Sequence, residues 1–353
     1  MGQDSAILDS APGGRYTAVQ ETNVAKLQLS IAVGDYDRIR PLVDGTVRID
    51  AVDPQFMLLE PEEIFFRAFR HADFDVCELS LSSYSVKAAS GDNPYIAVPV
   101  FPSRAFRHTS IYVRTDRGIA APADLKGRRI GVPEYQLTAN VWARMILDDD
   151  HGVKASDVIW VRGGYEQPGR VEKIALRLPS DVRVENAPEG ATISNLLAAG
   201  ELDAVMGPRA PSCFERGHPH IGYLFPDPHV AAAEWFRRTG IFPIMHLLGI
   251  RRSLAERHPW LPAAVYKAFD RAKSVALARL GDTSATKVTL PFVEEQLRAA
   301  RALMGEDYWS YGLGPNRHAL ERFLTRHHAE GLSARLLTPE ELFHPAALEV
   351  HRV

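Results

Sequence analysis

Apolar segments of strand length alternate with amphipathic helical segments, and this alternation restricts the fold more than any other feature of the chain. The segments LQLSIAV (27–33), which ends at Gly34, and FMLLE (56–60) predict strands. After the second of these strands, PEEIFFRAF (61–69) begins with a proline and two acids, as helices often do. Strands that are separated by helices form largely parallel sheets covered on both faces. The sequence therefore predicts an α/β protein.

The same pattern starts again further along the chain. A strand is predicted in PADLKGRRIGVP (122–133), and a helix capped by Gly152 in TANVWARMILDDDHG. A returning strand, FPIMHLLGIRR (242–252), precedes a helical C-terminal part whose apolar stripes must pack on the first lobe. We therefore expect two lobes. The predicted division is an N-terminal tail (1–26), a first lobe (27–113 and 245–353) and a second lobe (114–244).

Charge and composition exclude several classes of partner. The 41 basic and 44 acidic side chains are interspersed, with a formal net charge of -3, so no continuous basic surface is available for nucleic acid. No run of about eighteen apolar residues predicts a membrane-spanning helix. Residues 1–26 lack the pattern of a secretory signal. We expect a cytoplasmic protein, and the sequence leaves a homo-oligomer open.

Motifs for cofactors are missing as well. The sequence contains no glycine-rich phosphate loop, and Cys77 and Cys213 are too few for a disulfide framework or a thiolate zinc site. Asp35, Glu78 and Glu134 would suit a divalent metal if the fold brought them together, but their spacing does not show that it does. We therefore predict no cofactor and no metal.

Polar side chains in apolar segments are the first candidates for chemistry. The predicted strand DVCELSL (75–81) carries Glu78 near its carboxyl end, where open α/β sheets bind ligands and a carboxyl group can transfer a proton. The alternative is a carboxylate that ties down a loop or an arginine. His246 lies in the apolar segment FPIMHLLGI and is therefore either a core residue or a functional one.

The segment FPSRAFRHTSIYV (101–113) contains the densest group of cations. Arg104, Arg107 and His108 are interleaved with phenylalanines. Guanidinium groups bind carboxylates through paired hydrogen bonds and the rings provide apolar walls, so this segment favours an anionic arene. The alternative is that at least one of the arginines pairs with a surface acid. The role of His108 is left open at this point.

Loops that follow the predicted strands add further candidates. The free amides at the start of the helix at Thr138 would stabilise a carboxylate, and Arg209 would supply a second positive charge. Tyr135 or Arg209 alone is more often structural, but their joint position at strand ends favours ligand binding. The predicted binding residues of these loops are Asp35, Tyr36, Ser80, Ser82, Tyr135, Thr138 and Arg209.

Segments spread from Leu27 to the C-terminus resemble the 4,5-dihydroxyphthalate decarboxylase family. They are GDYDRIRPL, PEEIFFRAFR, ELSLSSY, VFPSRAFRHTSIYV, GVPEYQLTA, GGYEQPGRVEKIAL, GPRAPSCF, RTGIFPIMH and RALMGEDYW. That family is similar in fold to type II periplasmic binding proteins, so the resemblance implies a two-lobed α/β fold with a ligand cleft between the lobes. It also implies non-oxidative decarboxylation of an aromatic dicarboxylate, 4,5-dihydroxyphthalate, to protocatechuate and CO2.

The implied reaction assigns roles to the candidate residues. The ring carbon that bears the departing carboxylate is protonated while the hydroxyl para to it loses a proton, and CO2 then leaves. We assign ring protonation to His108 or His246, and exchange of the phenolic proton to Glu78. The substrate carboxylates are assigned to Arg104, Arg107 and Arg209.

Two other functions stay open. A non-catalytic solute receptor would capture an aromatic acid or a similar anion between the lobes, and the lack of an export signal argues against it. A pyrimidine synthase of the thiamin pathway resembles the same superfamily. Its cysteine-rich motif has no counterpart here, because Cys77 and Cys213 lie far apart.

Overall fold

Two β-sheets organise the computed structural model, which describes residues 26–352. In chain order the strands are β1 (Leu27–Val33), β2 (Val52–Leu58), β3 (Val76–Ser80), β4 (Tyr95–Val98), β5 (Ile111–Arg114), β6 (Arg129–Val132), β7 (Ile159–Arg162), β8 (Arg183–Asn186), β9 (Ala204–Met206), β10 (Ile221–Tyr223) and β11 (His246–Arg251). The first sheet has the order β2-β1-β3-β11-β4 and the second the order β10-β5-β9-β6-β7-β8. Each sheet is mixed, because β11 in the first sheet and β5 in the second run antiparallel to their neighbours.

Helices cover the sheets and form the C-terminal part. In chain order they are α1 (Arg40–Val43), α2 (Pro61–His71), α3 (Leu81–Ser90), α4 (Thr138–His151), α5 (Ile193–Ala199), α6 (Ser212–Glu215), α7 (Pro228–Thr239), α8 (Arg252–Arg257), α9 (Leu261–Leu280), α10 (Val293–Met304), α11 (Arg317–Ala329) and α12 (Pro345–Leu348). The predicted cap Gly152 ends α4 at φ 62°, a conformation that glycine adopts without steric cost. Between residues 26 and 352, no helix combines the length and the apolar content needed to cross a bilayer.

The strands of each sheet can be compared with the predicted lobe boundaries. β5 pairs with β9 and β10, so the boundary predicted after residue 113 falls inside a strand of the second sheet. The return to the first sheet occurs with β11, which begins at His246. The predicted tail lies, apart from Lys26, outside the described residues. The division of the chain into lobes stays a prediction.

Helix α4 lies between the two lobes and is buried over residues 138–147. The indole N–H of Trp142 donates to the carbonyl of Ile244 at 2.9 Å, and Arg144 forms a buried ion pair with Glu330 of α11 at 2.6 Å. The C-terminal helices were expected to pack on the first lobe, as α9 does against α1 and β4. Helix α11 packs on α4, which is apolar on more than one face, and its His327 also meets Ser82 of the first lobe.

Candidate active site

The ends of β1 and β3 and the start of β11 meet at one edge of the first sheet. Antiparallel pairing sets His246 opposite Ser80, two residues from Glu78 along β3. Side chains two residues apart on a strand share a face, and paired residues on neighbouring strands do as well. Glu78, Ser80 and His246 are therefore neighbours on one face of the sheet.

Glu78 is fully buried and holds the ring of His246. Its Oε1 lies 2.5 Å from Nδ1 of His246 and accepts the Tyr36 hydroxyl at 2.8 Å, while Oε2 accepts the Gly34 amide at 2.9 Å. Burial raises the pKa of Glu78, but the charge of His246 and the hydrogen bonds from His246, Gly34 and Tyr36 together bring it below its ordinary value. Glu78 therefore stays ionised and fixes His246 through Nδ1.

This geometry favours a positioning role for Glu78, and the exchange of a phenolic proton stays a prediction. Both of its oxygens are occupied by protein donors, and the side chain is 0% exposed. The predicted binding residue Tyr36 likewise turns its hydroxyl to Glu78, and burial followed by the Glu78 charge raises its pKa. Because Nδ1 is occupied, Nε2 is the nitrogen of His246 that is left for chemistry.

Arg107 is a buried cation without an acidic partner. Its Nε donates to Sδ of Met245 at 3.0 Å and one terminal nitrogen donates to Oγ of Ser110 at 3.4 Å. Among the carboxylates of residues 26–352, none pairs with it. Burial lowers the pKa of Arg107 to about 10. A buried charge is costly unless it is paired, so this position favours an anionic ligand.

Arg107 and His246 line the same small pocket between the lobes, which we call the inner pocket. Its volume is about 40 Å³. The complete lining is Glu62, Phe65, Ser80, Arg107, Leu137, Thr138, Ala139, Pro208, Met245 and His246. A second cavity of about 790 Å³, the outer cavity, shares Glu62 and Pro208 with the inner pocket and includes the predicted residue Arg209. The predicted residues Ser80, Arg107, Thr138 and His246 therefore converge.

The first turn of α4 reaches the inner pocket from the second lobe. Oγ1 of Thr138 lies 3.0 Å from Oγ of Ser80 and accepts the amide of Ser82 at 3.0 Å, so these residues join the two lobes. The first amides of a helix have no intrahelical acceptor and stabilise negative charge. The hydroxyl of Ser82 lies 2.9 Å from Nε2 of His327, and Ser82 is not part of the pocket lining.

Arg104 was predicted to bind substrate, and in the structure its guanidinium donates to protein acceptors. Its guanidinium donates to the carbonyls of Phe242 and Ser310 at 3.0 and 2.7 Å and to the side-chain oxygen of Asn316. Burial lowers its pKa to about 9. It lines a separate cavity with Phe242 and Asn316. Arg104 is not part of the lining of the inner pocket, and its role in substrate binding stays a prediction.

His108 was a candidate for ring protonation, and the structure places it outside the lining of the inner pocket. Its ring packs against the rings of Phe225 and Trp235, with centroid distances of 5.0 and 5.9 Å. Burial lowers the pKa of His108 to about 4, and its Nδ1 has no hydrogen-bond partner. His108 is therefore a neutral side chain of the aromatic core at neutral pH.

Three other predicted residues lie away from the inner pocket. Asp35 forms an ion pair with Arg40 at the surface. Tyr135 is buried, with its ring 3.9 Å from the guanidinium carbon of Arg144, and its hydroxyl has no partner. Arg209 lies at the outer cavity, where it pairs with Glu60 at 2.6 Å while both side chains remain more than two-thirds exposed.

Four charged residues form a cluster beside the inner pocket, and of these the sequence analysis considered only Glu134, as a possible metal ligand. In this charge cluster, Glu134 accepts Arg170 and Lys173 at 2.6 Å each, and Glu62 accepts them at 2.5 and 2.7 Å. Burial raises the pKa of Glu62, but Lys173 and Arg170 bring it below its ordinary value. The acids at the start of α2 were interpreted only as helix-start residues. The close spacing of Arg170 and Lys173 was the available signal.

The charge cluster also bears on the suggested metal ligands. Glu134 is occupied by two cations, Glu78 by His246, and Asp35 by a surface arginine. From Lys26 to Arg352, no three histidine, cysteine, aspartate or glutamate side chains converge as metal ligands.

Comparison with known proteins first defines the fold class. A family model described as NMT1/THI5 like matches residues 105–169. The alkanesulfonate-binding protein SsuA from Xanthomonas axonopodis pv. citri, solved bound to MOPS, is similar with a TM-score of 0.51 and 15% identity. The similarity covers 92% of this chain and 98% of that chain. The predicted two-lobed fold of the type II periplasmic binding proteins is confirmed.

Closer relatives define the family. The chain is 71% identical over 330 residues to the 4,5-dihydroxyphthalate decarboxylase of Comamonas testosteroni, covering 94% of this chain and 100% of the relative. It is 74% identical over 212 residues to the enzyme of the same name from Pseudomonas putida, covering 60% of this chain and 82% of the relative. The chain belongs to the 4,5-dihydroxyphthalate decarboxylase family, which confirms the predicted resemblance.

Proposed function

We propose that this chain removes one carboxyl group of 4,5-dihydroxyphthalate as CO2 and releases protocatechuate. Family membership supports the reaction. The observation that carries the assignment of residues is the inner pocket, where the unpaired cation Arg107 and the Glu78-bound His246 share one lining. The substrate supplies the negative charge that Arg107 lacks.

Binding begins at the outer cavity and ends on Arg107. A volume of about 790 Å³ is ample for an aromatic dicarboxylate, whereas about 40 Å³ holds little more than water. The lobes therefore separate slightly at Ser80 and Thr138 to admit the ring. Arg107 then pairs with the carboxylate that stays on the ring, and the first amides of α4 contribute further stabilisation.

Proton transfer from His246 starts the reaction. Protonated Nε2 gives its proton to the ring carbon that bears the departing carboxylate, and the hydroxyl para to that carbon loses its proton, giving a neutral dienone. The carbon–carbon bond then breaks, CO2 leaves, and the bonding electron pair returns to the ring as a phenolate. The phenolate regains a proton, and His246 is reprotonated from solvent. The net reaction consumes one proton and releases one CO2.

Glu78 and the apolar wall prepare this step. The Glu78 carboxylate holds Nδ1 and provides the counter-charge while Nε2 carries a proton. Phe65, Leu137 and Met245 line the same pocket, and Phe65 meets the His246 ring at a centroid distance of 4.8 Å. A carboxylate pressed against this apolar wall loses hydration, and this favours its departure as neutral CO2.

A direct assay tests the proposal. The purified chain is incubated with 4,5-dihydroxyphthalate without an oxidant, and CO2 and protocatechuate are quantified. We expect one equivalent of each per substrate consumed. Binding of the substrate without release of CO2 would contradict the proposed enzyme and indicate a solute receptor.

We also propose that the enzyme acts in the cytosol. Cys77 and Cys213 are both buried and unpaired with each other. Free thiols persist in reducing compartments, which supports this location. Cell fractionation with an activity assay checks it, and activity confined to the periplasmic fraction would contradict it.

A further inference from the structure

Glu62 offers a free acceptor to the inner pocket. Its Oε2 is held by Arg170 at 2.5 Å and Lys173 at 2.7 Å. Its Oε1 has no hydrogen bond or ion pair with any described residue. Glu62 lines the pocket together with Arg107 and His246, and also lines the outer cavity. One oxygen of an anchored carboxylate is therefore available to a ligand at the junction of the two spaces.

The substrate needs an acceptor at this end. Its two hydroxyls lie across the ring from its two carboxylates, so a ring whose carboxylate pairs with Arg107 directs its hydroxyls away from that arginine. A buried hydroxyl without an acceptor costs free energy. Glu78 cannot serve, because protein donors occupy both of its oxygens.

We propose that Glu62 accepts the hydrogen bond of the hydroxyl para to the departing carboxylate and takes its proton when His246 protonates the ring. This inference rests on the proposed decarboxylation. It makes Glu62 a catalytic residue and a determinant of specificity for hydroxylated phthalates over phthalate itself.

The proton balance of this step suits an anchored carboxylate. Once the ring carbon has gained a proton, the para hydroxyl becomes a protonated carbonyl, which is a strong acid, so even a weak base removes its proton. After CO2 leaves, the phenolate is a far stronger base than a carboxylate and recovers the proton from Glu62. Glu62 therefore ends each turnover ionised, and the proton that enters the product comes from His246.

The charge cluster explains why the base stays in place. Two cations hold one oxygen of Glu62, and Glu134 balances them from the second lobe. The ion pairs through Oε2 thus hold the Glu62 carboxylate at the lining of the inner pocket and leave Oε1 without a protein partner. Fixed orientation of this kind is what general base catalysis requires.

The test compares catalysis with binding of phthalate, which lacks both hydroxyls. Glu62→Gln is expected to lower kcat/KM for 4,5-dihydroxyphthalate at least about 100-fold, while the Ki of phthalate changes less than about threefold. An unchanged Ki also reports that the pocket has folded. The matched control is Glu63→Gln, an exposed neighbour paired with Arg67, which should retain wild-type kcat/KM.

Two further variants distinguish the contribution of Oε1 of Glu62 from that of the ion pairs that hold this side chain. Glu62→Asp keeps a charge for Arg170 and Lys173 but withdraws the oxygen by one methylene, and it should lose at least about tenfold in kcat/KM. Glu134→Gln weakens the cluster without touching the pocket lining and should lose less than Glu62→Gln. The inference is overturned if Glu62→Gln or Glu62→Asp turns over at the wild-type rate, if the phthalate Ki of Glu62→Gln rises in step with its loss of kcat/KM, or if Glu134→Gln matches Glu62→Gln. A wild-type enzyme that releases no CO2 would instead refute the proposed function.

Discussion

The inner pocket and the aromatic region around His108 each contain a buried arginine and a histidine, and we propose that only the first is built for chemistry. In the inner pocket Arg107 has no acidic partner and His246 is held by Glu78. In the aromatic region Arg104 is occupied by carbonyl and amide oxygens, and His108 packs between rings. The segment 104–108 contributes residues to both regions.

The difference lies in the position of the side chains relative to the inner pocket, not in the pKa shift that burial causes. Burial lowers the pKa values of Arg104, Arg107 and His108 alike, so a shifted pKa does not separate a binding residue from a structural one. What separates them is the cavity that each side chain borders. Arg107 and His246 line the inner pocket, whereas Arg104 lines a separate cavity and His108 packs among aromatic rings.

Substitution of His246 and substitution of His108, made separately, should give the largest difference in activity between the two regions. His246→Asn removes the proton donor and should lower kcat by about 10²–10⁴-fold, while the Kd of phthalate changes little. His108→Phe puts an apolar ring among aromatic neighbours and should keep wild-type kcat. Steady-state kinetics with calorimetric binding measures both. Equal losses in the two variants would contradict the distinction.

Removal of the two arginine charges should give opposite results. Arg107→Met should weaken phthalate binding by about 30–1,000-fold, because the ligand carboxylate loses its buried partner, and should leave Tm unchanged or raised. Arg104→Met leaves its carbonyl and amide acceptors unsatisfied, at about 1–3 kcal/mol of stability, and should bind phthalate normally. Thermal unfolding and titration with phthalate check the pair. A loss of binding in Arg104→Met would place that residue in the site after all.

The pH dependence of the free energy of unfolding gives a further test of the burial of His108, with a smaller expected effect. The pKa of His108 is about 4 in the folded protein and about 6.5 when unfolded, so only the unfolded chain gains this proton as pH falls through that window. The contribution of His108 to stability therefore falls by about 2 kcal/mol between pH 7 and pH 5. The free energy of unfolding of His108→Phe, measured with urea at pH 7 and pH 5, should fall by about 2 kcal/mol less than that of the wild type. An identical loss in wild type and variant would mean that His108 is not buried as described.

Much of the fold follows from local signals in the sequence. The apolar alternation of 27–33 and the caps at Gly152 and Gly200 report on conformations that neighbouring residues determine. The position of α11 on α4 could not be obtained this way. It depends on how the apolar faces of two distant helices match.

The site was only partly predictable for a related reason. Glu78 and His246 stand out because a polar residue inside an apolar strand needs a partner, and each is the partner of the other. Arg104 and Arg107 lie in irregular chain, where no periodicity tells which residue faces the cleft. The role of Glu62 was hidden because an acid at a helix start already has a local explanation.

A crystal structure of the enzyme with phthalate tests the central claim most directly, because phthalate keeps both carboxylates and lacks the hydroxyls needed for turnover. We predict a carboxylate oxygen within about 3 Å of the Arg107 guanidinium, with the ring facing Nε2 of His246. Phthalate held by Arg104, or bound only in the separate cavity lined by Asp270 and Lys273, would contradict the account.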